Sequence, residues 1–304
     1  MGGTNLRAAA VDSNGRIIEK VTSNTQYSAG RETILGDIVA AIQAVRQKVG
    51  DEGLLGVGIG IPGYIQIETG VLIGSANLPG LEGFPVRDAM QEKLGIPVIL
   101  ENDANAAALG EKWMGAGRDV EDLILITLGT GIGGGIISNG RVLHGYLGMA
   151  GELGHMTVVP EGNPCGCGNC GCLEKHASAN AIVSMANLLQ LGQHASAEDV
   201  YKLALGGNER ARRCFESMGR ALGIALANLI NIFNFPLYLL GGGALAAWDL
   251  FEPSMTAEVR RRSYTFTRTP TRIDKAILGS TAGLFGAAYL PFQHRDLMKD
   301  AIAS

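Results

Sequence analysis

The chain has 304 residues, 46% of them hydrophobic and 18% charged, so it can bury a core of one or two domains and is not a disordered chain. Its formal net charge is −4 and its longest basic cluster is Arg260 to Arg262, which excludes nucleic acid as the main partner because phosphate binding needs a basic footprint.

The opening "MGGTNLRAAAVD" shows no basic n-region or apolar h-region, so no signal peptide is expected and the compartment reads as cytoplasmic. "LRAAAVD", a turn at Asn14-Gly15 and "RIIEKVT" predict a hairpin. Ile34, Ile38, Ile42, Val45 and Val49 then recur at helical spacing, predicting a helix from about Arg31 to Lys48. "LLGVGIGIPG" and "IPVILEND" read as buried strands, and "ANAAALGEKWM" as a helix, which together make an α/β layer. The glycine-rich "GAGRDV" is the candidate boundary between a first domain, 1–117, and a second, 118–290, with 291–304 completing the first. After it the pattern restarts with "DLILITLG", a glycine loop, and "GGIISNGRVLHG" turning at Asn139-Gly140. The restart resembles a duplication and implies a cleft between two lobes.

From Ala221 to Trp248 the chain is uncharged and long enough to span a bilayer. Asn228, Asn231, Asn234, Pro236 and three glycines interrupt it, so a buried helix ending near Asn234 followed by the strand "PLYLL" is the expected structure, with no membrane partner.

Three stretches carry chemistry. "LGTGIGGGI" places Gly129, Gly131 and Gly134 in a G-x-G-x-x-G pattern after a strand, but the residues that follow form a hairpin and not a helix, so the dinucleotide reading fails. Such a loop, like "GGTN" at Gly2 to Asn5 and the glycines Gly241 to Gly243, presents backbone N–H groups that suit nucleotide phosphates, although each is also readable as a tight turn. "ENDANAA" sets Asn102 and Asp103 where a strand meets a helix. Either could cap that helix, or Asp103 could accept a proton from a substrate hydroxyl that Asn102 orients. "GELGHMTVV" followed by "GNPCGCGNCGCLEKH" offers His155, Cys165, Cys167, Cys170 and Cys172. In a reducing compartment this reads as a closed, structural zinc site. One histidine with three cysteines and an all-cysteine site including Cys170 are both open, and a redox pair is the third option.

In this order "GGTNLR", "ENDANAAALGE", "LGTGIGGGI", "GELGH" and "CGCGNCGCLE" resemble the ROK family of bacterial sugar kinases and sugar-responsive repressors, most closely its glucokinases. The resemblance implies an actin-like, hexokinase-like (ribonuclease H-like) α/β fold of two lobes, a homodimer or tetramer, and transfer of phosphoryl from ATP with Mg²⁺ to the 6-hydroxyl of a hexose. It implies Asp103 as catalytic base. Sugar contacts would come from Gly63, Asn77 in "SANLPG", Asn102, Asp103, Glu152, His155 and Glu174. ATP contacts would come from Gly3, Thr4, Thr130, Gly131, Gly241, Gly242 and Gly243. Zinc would sit on His155, Cys165, Cys167 and Cys172. Kinases for N-acetylmannosamine, fructose, allose or N-acetylglucosamine, a polyphosphate donor, and a non-catalytic sugar-sensing regulator are the alternatives. A repressor would need a helix-turn-helix segment before the sugar domain, and none is expected here. In the family pattern a strand ending in Asp comes directly before the Gly-Gly-Thr loop. It would lie between "LRAAAVD" and "LLGVGIGI", and the expectation is that the natural chain begins upstream of Met1.

Overall fold

The computed structural model describes residues 5–24, 30–75, 77–192 and 196–294. They form two compact units. The first comprises Met1–Glu121, Gly135–Gly151 and Leu278–Ser304, the second Asp122–Gly134 and Glu152–Ile277.

The first unit opens with the antiparallel hairpin of β1 (Asn5–Val11) and β2 (Ile17–Asn24), in register from Asn5↔Asn24 to Ala10↔Glu19. Asp12 fixes the turn, its Oδ1 accepting the N–H groups of Asn14 and Arg16 at 2.9 Å each. Helix α1 (Arg31–Val49) buries Ile34, Leu35, Ile38, Ala41 and Val45, the stripe its spacing demands. Next come β3 (Val57–Ile61), β4 (Tyr64–Gln66), β5 (Val71–Gly74), β6 (Phe84–Pro85), α2 (Val86–Leu94), β7 (Val98–Asn102) and α3 (Asp103–Met114). Strands β3 and β7 are parallel, in register from Val57↔Val98 to Ile61↔Asn102, while β4, β5 and β6 form a small antiparallel sheet. Leu6, Ile34, Ile59, Ile65, Leu72 and Met90 belong to one core that ties these layers together.

Strand β8 (Leu123–Leu128) starts the second unit, and β9 (Ile132–Ser138) passes from it into the first at Gly135. There β9 pairs with β10 (Arg141–Val142) across Asn139 and Gly140, both at positive φ (51° and 73°), which matches the right-handed twist of a two-residue hairpin. The second unit continues with α4 (Glu174–Ala177), α5 (Ala179–Leu188), α6 (Ala197–Leu205), α7 (Glu209–Phe233), β11 (Leu237–Gly241), α8 (Trp248–Arg262) and β12 (Arg272–Lys275). β11 is parallel to β8 on one side and β12 on the other, and all five of its residues are buried, which explains its unbroken apolar run. The uncharged stretch divides as expected: α7 ends on the left-handed Asn234 (φ 50°), and β11 follows. No helix among the described residues is long and apolar enough to cross a membrane.

Helix α9 (Ala282–Gln293) belongs to the first unit, as does the β9–β10 hairpin, so the division differs from a single continuous second domain over 118–290. The cause is a close helix pair. Gly110 of α3 and Gly286 of α9 face each other so tightly that a Cβ on Gly286 would sit 1.6 Å from the Ala106 carbonyl oxygen, and one on Gly110 would sit 2.1 Å from that of Ala282. The fully buried Glu111 adds to this, its Oε1 accepting the Leu278 N–H at 2.8 Å and its Oε2 that of Ala116 at 2.9 Å.

Candidate active site and cysteine centre

In the first unit the junction of β7 and α3 carries Asn102 and Asp103. Asn102 is the helix cap, its Oδ1 accepting the N–H groups of Ala104 (2.9 Å) and Asn105 (3.1 Å). Its Nδ2 donates to the Gly63 carbonyl at 3.1 Å. Gly63 can hold that carbonyl there because its φ is +124° and a Cβ would lie 2.5 Å from the Gly74 oxygen. The capping is done by Asn102, and burial, opposed by the N–H groups of Ala104 and of Asp103 itself, pushes the Asp103 carboxyl above its ordinary value. Asn77 is exposed in the loop after β5, where Ser75 Oγ bonds the Pro62 carbonyl (2.8 Å) and the Leu78 N–H (3.1 Å).

Behind this junction lies a network that sequence reasoning missed. The Glu101 carboxylate, 3% exposed, accepts the Asn102 N–H (2.9 Å) and Asn105 Nδ2 (3.1 Å) through Oε1, and meets His144 Nε2 at 2.7 Å through Oε2. Burial pulls the His144 pKa down, but the hydrogen bond and charge of Glu101 outweigh it, and the net shift is upward. Asn105 Oδ1 is buried and has no partner among the described residues. An acid inside "VILEND" gives no sign of its burial, and His144 lies 43 residues away, so no local pattern could join them.

In the second unit two glycine loops leave neighbouring parallel strands at the same edge, since Gly241 of β11 pairs with Thr127 of β8. Ligands of α/β sheets gather at that edge. In the first loop the Gly129 N–H bonds the Gly131 carbonyl (3.0 Å), Ile132 donates to Glu174 Oε2 (3.1 Å) and Gly133 to Thr127 Oγ1 (3.2 Å). Among the described residues the N–H groups of Thr130 and Gly131 have no internal acceptor, and Thr130 is exposed at the tip. A Cβ on Gly131 would sit 2.4 Å from Glu174 Oε2, so the loop and the α4 carboxylate fit as a unit. In the second loop Gly242 has φ +95° and packs on the end of β8. Gly3 and Thr4, the other residues assigned to phosphate, lie outside the described residues.

The cysteine loop folds back on itself through the bridges Thr157↔Cys172 and Pro164↔Cys170 and through a turn closed by Cys165 N–H to the Asn169 carbonyl at 2.8 Å. One ligand atom from each of His155, Cys165, Cys167 and Cys172 lies within 4.8 Å of all the others. His155 Nδ1 is 3.6 Å from Cys165 Sγ, and Cys167 Sγ is 3.7 Å from Cys172 Sγ. Cys170 is exposed and not part of the group, so the geometry favours the mixed donor set over the all-cysteine one. His155 Nε2 points the other way, 3.8 Å from Glu152 Oε2. Burial, followed by the neighbouring thiols of Cys167 and Cys165, raises the Cys172 pKa to about 11.

Known proteins resemble this chain along nearly its whole length. A glucokinase from Halalkalibacterium halodurans is 36% identical, over 98% of this chain and 95% of its own. A xylose repressor from Caldicellulosiruptor bescii is 33% identical over 90% of this chain, which spans 71% of the repressor. Among solved structures, the ROK hexokinase from Thermus thermophilus superposes with TM-score 0.87 at 36% identity, covering 97% of each chain. A ROK family glucokinase from Streptomyces griseus, in complex with glucose and AMPPNP, gives TM-score 0.78 at 35% identity over 96% of this chain and 97% of that one. The fold is thus the two-lobed α/β fold of these sugar kinases, and the profile of the ROK family matches residues 1–294. This chain belongs to the ROK family.

Proposed function

We propose that this protein is a cytoplasmic glucokinase that moves the γ-phosphoryl group of ATP to the 6-hydroxyl of glucose. The observation that carries the reading is the match over almost the full chain to a relative solved with glucose and an ATP analogue. Asp103 fits the base: it sits at the start of α3, its neighbour Asn102 does the capping, and partial burial shifts its acidity toward the range where a carboxylate accepts a proton more readily. Phosphoryl transfer needs little covalent help, so placement of the hydroxyl and of charge does most of the work.

In the first unit Gly63, Asn77 and Asn102 are assigned to the sugar side, Gly63 through the Asn102 amide it holds. In the second unit Glu152, His155 and Glu174 are assigned to sugar hydroxyls. Thr130, Gly131 and Gly241 to Gly243 are assigned to the nucleotide, with the open N–H groups of Thr130 and Gly131 suited to phosphate oxygens. Magnesium bound with ATP would neutralise charge on the phosphates. His155, Cys165, Cys167 and Cys172 fit a structural zinc ion, because one imidazole and three thiols fill a tetrahedron and leave no open position. With Nδ1 committed to that cluster, His155 Nε2 is fixed as the face turned to Glu152.

A coupled assay for ADP release over a panel of hexoses tests the reading. Glucose should give the highest kcat/KM. Preference for N-acetylmannosamine, fructose, allose or N-acetylglucosamine would move the substrate within the same reaction. Sugar binding without turnover would favour a regulator, and turnover with polyphosphate alone would change the donor.

A further inference from the structure

In the second unit the glycine loop after β8 is held from three sides by segments that already have another task. The Gly129 carbonyl accepts the Ala179 N–H at 2.9 Å, which ties the start of the loop to the first turn of α5. The Ile132 N–H donates to Glu174 Oε2 at 3.1 Å, and a Cβ on Gly131 would meet the same oxygen at 2.4 Å. From the other side Gly154 comes so near that a Cβ there would lie 2.2 Å from the Ile132 carbonyl oxygen. Ile132, buried at the start of β9, is therefore where the loop meets both "GELGH" and "CLE", the two stretches that carry Glu152, His155 and Glu174.

The Glu174 carboxylate is itself well placed to act as a clamp. The Leu173 N–H bonds the Met156 carbonyl at 2.8 Å and the Lys175 N–H bonds the Cys172 carbonyl at 2.9 Å, so the backbone on both sides of it is fixed. Its two oxygens face different neighbours. Oε2 is taken by the loop, while Oε1 lies 3.7 Å from Lys175 Nζ and has room for a further donor. A charged acceptor binds a backbone N–H more strongly than a neutral one does. A loop already fixed at Ile132 also loses less freedom when Thr130 and Gly131 meet an anion.

We propose that Glu174 is a positioning residue for the nucleotide in addition to its assigned sugar contact. Through Oε2 it holds the loop from Gly129 to Gly133 in the shape that offers the Thr130 and Gly131 N–H groups to phosphate oxygens, and Oε1 is left for a sugar hydroxyl. This rests on the assignment of Thr130 and Gly131 to the nucleotide. One carboxylate then serves both substrates, and its two oxygens can be separated by substitution. Glu174→Gln keeps a carbonyl oxygen for the Ile132 N–H and turns an amide NH₂ to the sugar side, whereas Glu174→Ala removes both contacts.

The test uses the full chain without sugar and reads binding of ADP with Mg²⁺ by calorimetry, alongside hydrogen exchange of the Ile132 amide. Glu174→Ala should weaken ADP by about tenfold and speed Ile132 exchange by about tenfold or more, while Glu174→Gln should stay within about threefold of wild type in both. In steady-state kinetics Glu174→Gln should raise the KM for glucose and leave that for ATP near wild type, and Glu174→Ala should raise both. Gly131→Ala keeps the test open if the alanine variant at 174 does not fold, because it pushes the carboxylate off the loop and leaves it in the chain. Its Ile132 exchange should match that of Glu174→Ala, and combining the two should add nothing. Equal ADP affinity and equal Ile132 exchange in wild type and Glu174→Ala overturn the proposal and reduce Glu174 to a sugar contact. So does a Glu174→Gln chain that loses ADP as fully as Glu174→Ala, because ADP would then not sense the bond to Ile132. A wild-type chain that binds no ADP overturns the nucleotide assignment and this proposal with it, whereas the other results leave that assignment standing.

Discussion

Replacing His144 by alanine removes a hydrogen-bond partner of a buried carboxylate. Glu101 is 3% exposed, and Oε2 has the 2.7 Å contact to His144 Nε2 as its hydrogen bond, while Oε1 is occupied by Asn102 and Asn105. Leaving a buried acceptor unmet costs about 1–3 kcal/mol, and more when the acceptor is charged. The cost should also depend on pH. The His144 pKa is raised, so its extra stabilisation is fully present below the ordinary value of about 6.5 and drains as pH climbs through the folded value. Glu68 adds to the upward shift and burial opposes it, while the neighbouring His294 is itself held below its ordinary value by burial, Arg141 and His144. Urea unfolding of wild type and His144→Ala at pH 6 and pH 9 measures this. The first unit can be followed alone through Trp113, stacked on Tyr289 at 4.8 Å, once Trp248 is changed to Phe. The stability gap between the two proteins should be about 2–3 kcal/mol at pH 6 and clearly smaller at pH 9. A gap of the same size at both values would refute the reasoning, because a neutral imidazole donor would then supply everything.

Asp103→Asn should leave glucose binding within about tenfold while turnover falls by roughly two to four orders of magnitude, read from steady-state kinetics and calorimetry. Near-normal turnover would reduce Asp103 to a first-turn residue of α3. Metal analysis should find one zinc per chain, kept in Cys170→Ser and lost in Cys172→Ser, since the former lies outside the ligand group and the latter inside it. Loss in Cys170→Ser would restore the all-cysteine site. Gly286→Ala places a Cβ 1.6 Å from the Ala106 carbonyl and should cost about 1–3 kcal/mol by forcing α9 away from α3, visible as a lower melting temperature. An unchanged melting temperature would mean the helix pair yields freely.

Local patterns told most of the elements. The Asn-Gly turn of the second hairpin, the apolar stripe of α1 and the Asn234 stop of α7 each depend on residues close in sequence, where spacing and backbone preference decide. The candidate site was legible for the same reason wherever it sits in short motifs, as with Asn102, Asp103 and the cysteine loop. Contacts across long intervals were not. Glu101 and His144 are joined by burial, and α9 is joined to α3 by the glycines Gly110 and Gly286, whose role as spacers shows only when both backbones are in place. That is why the division between units could not be drawn at one glycine-rich stretch. The competition between Asn102 and Asp103 for the helix cap was likewise settled by geometry, because either residue type caps a helix equally well.

The closure of α3 by α9 bears on how the protein is made. The two helices are separated by about 170 residues, so at roughly 5–20 residues per second α3 leaves the ribosome many seconds before its partner exists. During that interval the glycine face of α3 and the flank of β3 that α9 will cover stay open to water. The second unit, by contrast, has all its strands in hand once β12 has emerged. The region that begins the chain is therefore the last to become complete, and its apolar surface stays open longest during synthesis. A stalled nascent chain that has emerged through Ile277, with Leu278 onward still enclosed in the exit tunnel, should display a protease-resistant fragment from the later-made unit and none from the earlier-made one.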